Sequence, residues 1–189
     1  QMIFQKDTDQ LLVWNGTAWV IPNSPAQNPT GLELITTQTI TSQSSFNVAN
    51  CFSSTFDNYR IVINLTGASQ AGGNALFLRP GNVSSAVYGG SIIRSYGSTV
   101  NVLGNVGDAY LIGYTTSAST QYHLVGDLAF PNRPLPTTFT FQAFGYNSLD
   151  NVNYAGGCNL YSFSQYTDIT ILVQAGTITG TFSVYGYRK

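Results

Sequence analysis

The chain has 189 residues, enough for one sizeable core with a short appendage beside it. Charged residues make up only 8%, against about 25% in an ordinary soluble domain, so the surface must be built from Ser, Thr, Asn, Gln, Gly and Tyr. A net charge of −1 excludes a basic footprint for nucleic acid and a polybasic membrane anchor, and 43% hydrophobic content excludes general disorder.

No apolar run approaches the roughly 20 residues of a transmembrane helix, so no membrane insertion is expected. The opening QMIFQKDTDQ is too polar for the apolar region of a secretory signal. Residue 1 is Gln, so the chain is read as processed or cut from something longer, and the missing signal says little about compartment.

Residues 1–22 predict a small meander: a strand over Met2 to Phe4, a polar turn over Lys6 to Asp9, and strands over Leu11 to Trp14 and Thr17 to Ile21. Asn15-Gly16 between apolar strands is a strong hairpin signal, because both residues accept the positive φ of a type I′ turn. With those two as the loop, Trp14 pairs with Thr17 and Leu12 with Trp19. Leu12, Trp14, Trp19 and Ile21 then share one face, and Leu11, Val13, Ala18 and Val20 the other. Both faces are apolar, which so small a sheet cannot hide by itself. It is expected to pack on copies of itself or on a partner chain, with Leu11, Val13, Trp14, Trp19 and Val20 as the candidate interface.

Pro22, Pro25 and Pro29, set among Asn, Ser, Gln and Thr, exclude a regular helix and disfavour an internal strand. Residues 23–31 are therefore read as a linker and 32–189 as the main domain.

From Leu32 onward no useful stretch carries helical spacing. Strand signals recur at Leu34 to Thr41, Phe46 to Ala49, Tyr59 to Thr66, Ala75 to Arg79, Val87 to Ile93, Ala109 to Thr115, Tyr122 to Phe130, Thr137 to Tyr146 and Cys158 to Phe163. The last stretch, Ile169 to Lys189, alternates around Ala175 and Gly176 and predicts a β-hairpin. Its second strand puts Ile178, Phe182 and Val184 on one face with Gly180 and Gly186, and Thr, Ser and Tyr on the other. Such a strand needs a second sheet across it. Many short strands divided by Gly, Asn, Ser and Pro predict an all-β fold, an antiparallel, jelly-roll-like β-sandwich behind a short N-terminal hairpin module. Gly67 to Asn74 and Val83 to Gly107 are read as the long loops.

Chemistry is sparse. His123 is the only histidine, and it falls opposite the core set of its strand together with Asp127. No nucleophile elbow or zinc-binding His pair is present. The carboxylates, Asp7, Asp9, Glu33, Asp57, Asp108, Asp127, Asp150 and Asp168, are scattered. Two could meet in space as a glycosidase pair requires, yet Asp57 and Asp150 also read as turn residues and Asp168 as a strand start. Asp7-Thr8-Asp9 lacks the Gly and distal Glu of a calcium loop. No catalytic residue, metal or cofactor is expected. Cys51 and Cys158 are too few for a disulfide framework; two buried reduced thiols are the first reading and a single disulfide the second.

The twelve tyrosines stand out among amide and hydroxyl side chains. Aromatic rings stack on the apolar face of sugars while amides bond hydroxyls, and Tyr also gives rigid contact area. Tyr88, Tyr96, Tyr110, Tyr114, Tyr146 and Tyr154, in or beside loop-rich stretches, are the candidate recognition set; the alternative is that they cap the sandwich edges.

Several segments resemble one family. Gly31-Leu32-Glu33-Leu34-Ile35, the run from Phe52 to Val62, Leu76-Phe77-Leu78-Arg79 and the ending from Gly180 to Lys189 look like C-terminal β-sandwich domains of tailed-bacteriophage fibre and appendage proteins, particularly of marine phages. Asp9 to Val20 resembles the short hairpin module that precedes such domains. The resemblance implies a virion location, a homotrimer with the hairpins near the threefold axis, and sandwiches as distal knobs. It implies contact with other virion proteins through the N-terminal region, and with a glycan or receptor on the host surface. Tail fibre, capsid fibre and decoration protein all remain open, and a polysaccharide depolymerase is a further alternative.

Overall fold

The computed structural model describes residues 2–5, 10–21, 31–69, 74–84, 87–115, 121–146 and 151–188. The expected turn over Lys6 to Asp9 and the stretch from Pro22 to Thr30 lie outside them. The chain divides into two compact units, essentially residues 1–31 and 32–187. Every paired strand is antiparallel, and no helix occurs among the described residues.

The first unit is a three-stranded sheet of β1 (Met2–Gln5), β2 (Gln10–Trp14) and β3 (Trp19–Val20) in that order. Its turn differs from the expected one. Trp14 pairs with Trp19 and Val13 with Val20, so four residues form the loop instead of two. The Asn15 side chain explains the choice: its Oδ1 accepts hydrogen bonds from the backbone N–H groups of Thr17 and Ala18, both at 2.9 Å, closing an Asx-type turn. The register moves by two positions, so each residue keeps its face. The two indole rings meet edge-on at 5.7 Å.

The second unit carries twelve strands among the described residues. In chain order they are β4 (Leu32–Gln43), β5 (Ser45–Val48), β6 (Asn58–Ala68), β7 (Asn74–Pro80), β8 (Tyr88–Tyr96) and β9 (Thr99–Gly107). There follow β10 (Tyr110–Thr115), β11 (Gln121–Ala129), β12 (Thr137–Tyr146), β13 (Asn151–Leu160), β14 (Ile169–Val173) and β15 (Ile178–Tyr187). A four-stranded sheet, β10-β7-β14-β5, lies against an eight-stranded sheet, β4-β15-β6-β11-β12-β13-β8-β9. Counting β5 to β10 as strands one to six, the meander β11-β12-β13 together as seven, and β14 as eight, the sheets run one-eight-three-six and two-seven-four-five. That is a jelly-roll order with its seventh strand tripled, and with β15 and β4 added at one edge.

The inward faces follow from alternation. In β6, Tyr59, Ile61, Ile63 and Leu65 are buried, and in β11 Tyr122, Leu124, Gly126 and Leu128 face the same core. Gly126 is required there by its neighbours, since a Cβ would meet the Phe139 ring at 2.5 Å. Cys51 and Cys158 are buried thiols not joined in a disulfide, as the first reading had it. Burial pushes the Cys51 thiol up to about 12.

Three expectations are corrected. Ile169 to Lys189 is not a hairpin: β14 pairs with β5 and β7 while β15 pairs with β4 and β6, so the connection crosses between sheets. Each strand already has two hydrogen-bonded neighbours and no side left for the other. Secondly, Val83 to Gly107 is mostly a hairpin, β8 and β9, closed by Gly97 and Ser98 with Gly97 at φ 56°. Thirdly, the strand expected from Cys158 begins at Asn151, because Asn and Gly alternate with inward Val152, Tyr154 and Cys158.

Candidate functional site

The outer face of the eight-stranded sheet is set by register. Asn64 of β6, His123 of β11, Phe144 of β12, Asn153 of β13 and Ser95 of β8 stand side by side in one cross-strand row. The next row places Gln121, Tyr146 and Asn151 together. Phe144 is 57% exposed and Tyr146 49%, and their i, i+2 spacing points both rings off the same face.

Around them lies an open depression of about 580 Å³, within the size range of small-ligand sites. Asn64 Oδ1 and His123 Nδ1 are 2.5 Å apart. With the amide oxygen as acceptor, Nδ1 donates, and Nε2 of a neutral ring is left as an acceptor facing outward. The side chains of Gln121, Asn151 and Asn153 make no hydrogen bond among the described residues, so their amides are available.

The depression is the end of a longer feature. A second, of about 320 Å³, shares Phe144 and Asn153 with it and adds Ile93, Gln142 and Ala155. A third shares Gln142 and Ala155 and reaches Arg60 and Asp127; a fourth shares Asp127 and Thr140 and reaches Tyr187. Together they form a trough along β12, bordered by β13 in the first three. Its length, from Tyr146 to Thr138, is roughly 26 Å at about 3.3 Å per residue.

Among the described residues charge enters at the far end, and there it is closed on itself. Arg60 Nε and Nη2 donate to the two carboxylate oxygens of Asp127 at 2.9 and 3.0 Å, and the Tyr187 hydroxyl donates to Oδ1 at 2.6 Å. Partial burial works to raise the Asp127 carboxyl, but these hydrogen bonds outweigh it and hold it below the usual carboxylate range. Tyr187 responds in the opposite sense: burial, with the carboxylate beside it, pushes its hydroxyl up to about 12.

The predicted recognition tyrosines are divided by the structure. Tyr146 lies in the depression and Tyr96 is partly exposed at the end of β8. Tyr88, Tyr110 and Tyr154 are corrected to core residues, buried in strands and unable to touch an outside ligand. Their rings join an inner aromatic ladder: Tyr88 meets Tyr110 at 4.8 Å, Tyr110 stacks on Phe139 at 5.8 Å, and Tyr154 meets Tyr122 at 6.3 Å. The hydroxyls of Tyr88 and Tyr110 donate to the carbonyls of Val83 and Thr137, which lets a polar tip sit inside. Tyr114 is half-buried under the Arg94 guanidinium, 5.8 Å from its ring centre.

In the N-terminal sheet Trp14 is 42% exposed, Trp19 and Val20 are exposed and Val13 is half-buried. Leu11 is described by its backbone pairing to Phe4. Met2, Ile3 and Ile21 extend this apolar surface; the sequence reading put Ile21 on the Trp14 face but left all three out of the candidate interface.

Each described aspartate already has a partner: Asp57 with Arg133, Asp108 with Arg79, Asp127 with Arg60, and Asp168 with Asn47. Asp7, Asp9 and Asp150 lie outside the described residues. No His, Cys, Asp and Glu cluster able to hold a metal occurs among the described residues. Fold and site together define an antiparallel sandwich bearing a long, largely uncharged trough on one sheet. Neither a family model, nor a curated protein, nor a solved structure matches the chain.

Proposed function

We propose that this chain is a structural protein of a tailed-bacteriophage virion, a trimeric fibre or appendage whose sandwich contacts the host surface and which has no enzymatic activity. The observation that carries the recognition role is the pair of exposed aromatic rings in adjacent outer-face rows among unengaged amides, held on strands rather than on loops. Rings and amides that a folded domain leaves in water at the cost of its own burial suit a ligand from outside. The exposed apolar residues on both faces of the N-terminal sheet support assembly through that module. The virion setting rests on the sequence resemblance.

Light scattering on the full chain tests assembly. A trimer is expected, and replacing both Trp14 and Trp19 by Ser should lower the mass to that of the monomer; a monomeric native chain would end the trimeric reading. Phe144→Ala should reduce attachment to host cells while the domain stays folded.

A second reading, a decoration protein with no receptor role, is favoured by β9. This nine-residue edge strand carries no charged residue and exposes Val100 and Val102, the kind of edge that pairs with another chain. It predicts a weaker particle without the protein and unchanged attachment.

A further inference from the structure

We infer that the trough along β12 binds a neutral, extended oligosaccharide, with Phe144 as its stacking platform and Asn64, His123 and Asn153 as its hydrogen-bonding groups. This rests on the recognition reading and specifies its ligand and its place, a sheet face in preference to the loops.

Three features carry it. The first is shape. Four depressions follow one another along β12, neighbours sharing Phe144, Gln142 or Asp127 in their linings, which suits a chain better than a compact molecule. The floor is low because β13 presents Ala155 and Gly157 outward where β12 presents Gln142 and Thr140. Phe144 stands as a ridge between the first two depressions, so ligand can lie against the ring from either side.

The second is polarity. Amides both donate and accept, and so does every sugar hydroxyl, so unengaged Gln121, Asn151, Asn153 and Gln142 match a polyhydroxylated chain without specifying a charge. His123 adds an acceptor whose ring is fixed by Asn64. The apolar C–H face of a sugar ring, positive at its hydrogens, complements the negative face of Phe144 or Tyr146.

The third is charge. Among the described residues, the first two depressions are lined by no Asp, Glu, Lys or Arg, and the Arg60–Asp127 pair further along is mutually neutralised. An acidic polysaccharide would be desolvated there with no cation to receive it, at a cost that a neutral chain avoids.

The test is binding of the full-length protein to an array of bacterial surface polysaccharides, neutral and acidic side by side, followed by calorimetric titration with a hexasaccharide of the best neutral binder. Binding to at least one neutral polymer is expected, with affinity reduced at least tenfold by Phe144→Ala, several-fold by Asn153→Ala, and largely kept by Phe144→Trp. Binding to acidic polymers alone, to none of the polymers, or equally well by Phe144→Ala protein whose thermal melt is unchanged overturns the inference. A parallel measurement separates it from the broader reading. Fluorescent full-length protein is applied to bacterial cells before and after periodate cleavage of surface sugars. Attachment that needs Phe144 but survives periodate keeps the recognition role and rejects the sugar; attachment lost to periodate supports both; attachment that Phe144→Ala leaves intact rejects this face altogether.

Discussion

Removing one phenyl ring should have very unequal consequences at two positions of the same sheet. Phe182 lies in β15 between β4 and β6, with 0% of its surface exposed. Phe182→Ala deletes a fully packed ring and leaves a cavity between the sheets, a loss of about 3–5 kcal/mol. At about 2–4 °C per kcal/mol for a domain of this size, the melting temperature falls by roughly 6–20 °C. Phe144 is more than half in water, so the same change there removes less than half of a ring's burial and costs about 1 kcal/mol, or roughly 2–4 °C. Thermal unfolding followed by circular dichroism on both variants measures the contrast. Equal shifts, or a larger one at Phe144, would refute the assignment of inner and outer faces on which the proposed site depends.

Gly180→Ala should destabilise more than its single methyl suggests, because a Cβ there collides with the Asn64 carbonyl oxygen and the Leu65 Cα of the neighbouring strand; a variant melting within a degree of the native protein would contradict the close pairing of β15 and β6. Cys51, buried and with its thiol pushed up to about 12, should resist maleimide at neutral pH, as should buried Cys158, until the protein unfolds; immediate labelling of either would place it at the surface. The raised values of Cys51, Tyr154 and Tyr187, each up to about 12, favour their neutral forms in the folded state, so the stability they contribute is complete below pH 9, where the unfolded groups are still protonated. It is lost progressively as pH rises from 9 to 12, and a melting temperature that stays flat across that window would contradict the burial. Asp127 has the reverse sign: its lowered value gives stability above its ordinary value of 3.8 that is lost in more acid solution, a small effect for a half-exposed pair.

Alternation made β6, β11, β12 and β15 readable, because each buries an apolar set on alternate positions and leaves a mostly polar set on the other face, with Val62, Val125 and Phe144 as apolar exceptions. The same reasoning found the first part of β8 but stopped at Ile93, and it missed β9 and the start of β13, where interspersed Gly, Ser and Asn imitate a loop. A usable signal was there in Gly97-Ser98, a two-residue turn between Tyr96 and Thr99 that could have marked the hairpin. The site was hidden for a different reason. Asn64, His123, Phe144 and Asn153 come from four strands, and only the register of three strand pairs makes them neighbours. Tyrosine counting drew attention to Tyr88, Tyr110 and Tyr154, whose hydroxyl or ring partners lie inside and leave no mark on the local sequence.

The position of β15 bears on how the protein is made. Strand β4 has β15 as its one partner in the sheet, and β5 has only β14, so the two strands that open the domain wait for the two that are translated last. At about 5–20 residues per second, the ribosome needs roughly 7–30 s to travel from one to the other. During that interval the nascent chain can form the β11-β12-β13 meander from local contacts, but the edge of β6 that receives β15 remains open. Closure of the sandwich therefore waits for β15, and its yield is set by how well that open edge is kept from neighbouring chains until β15 arrives.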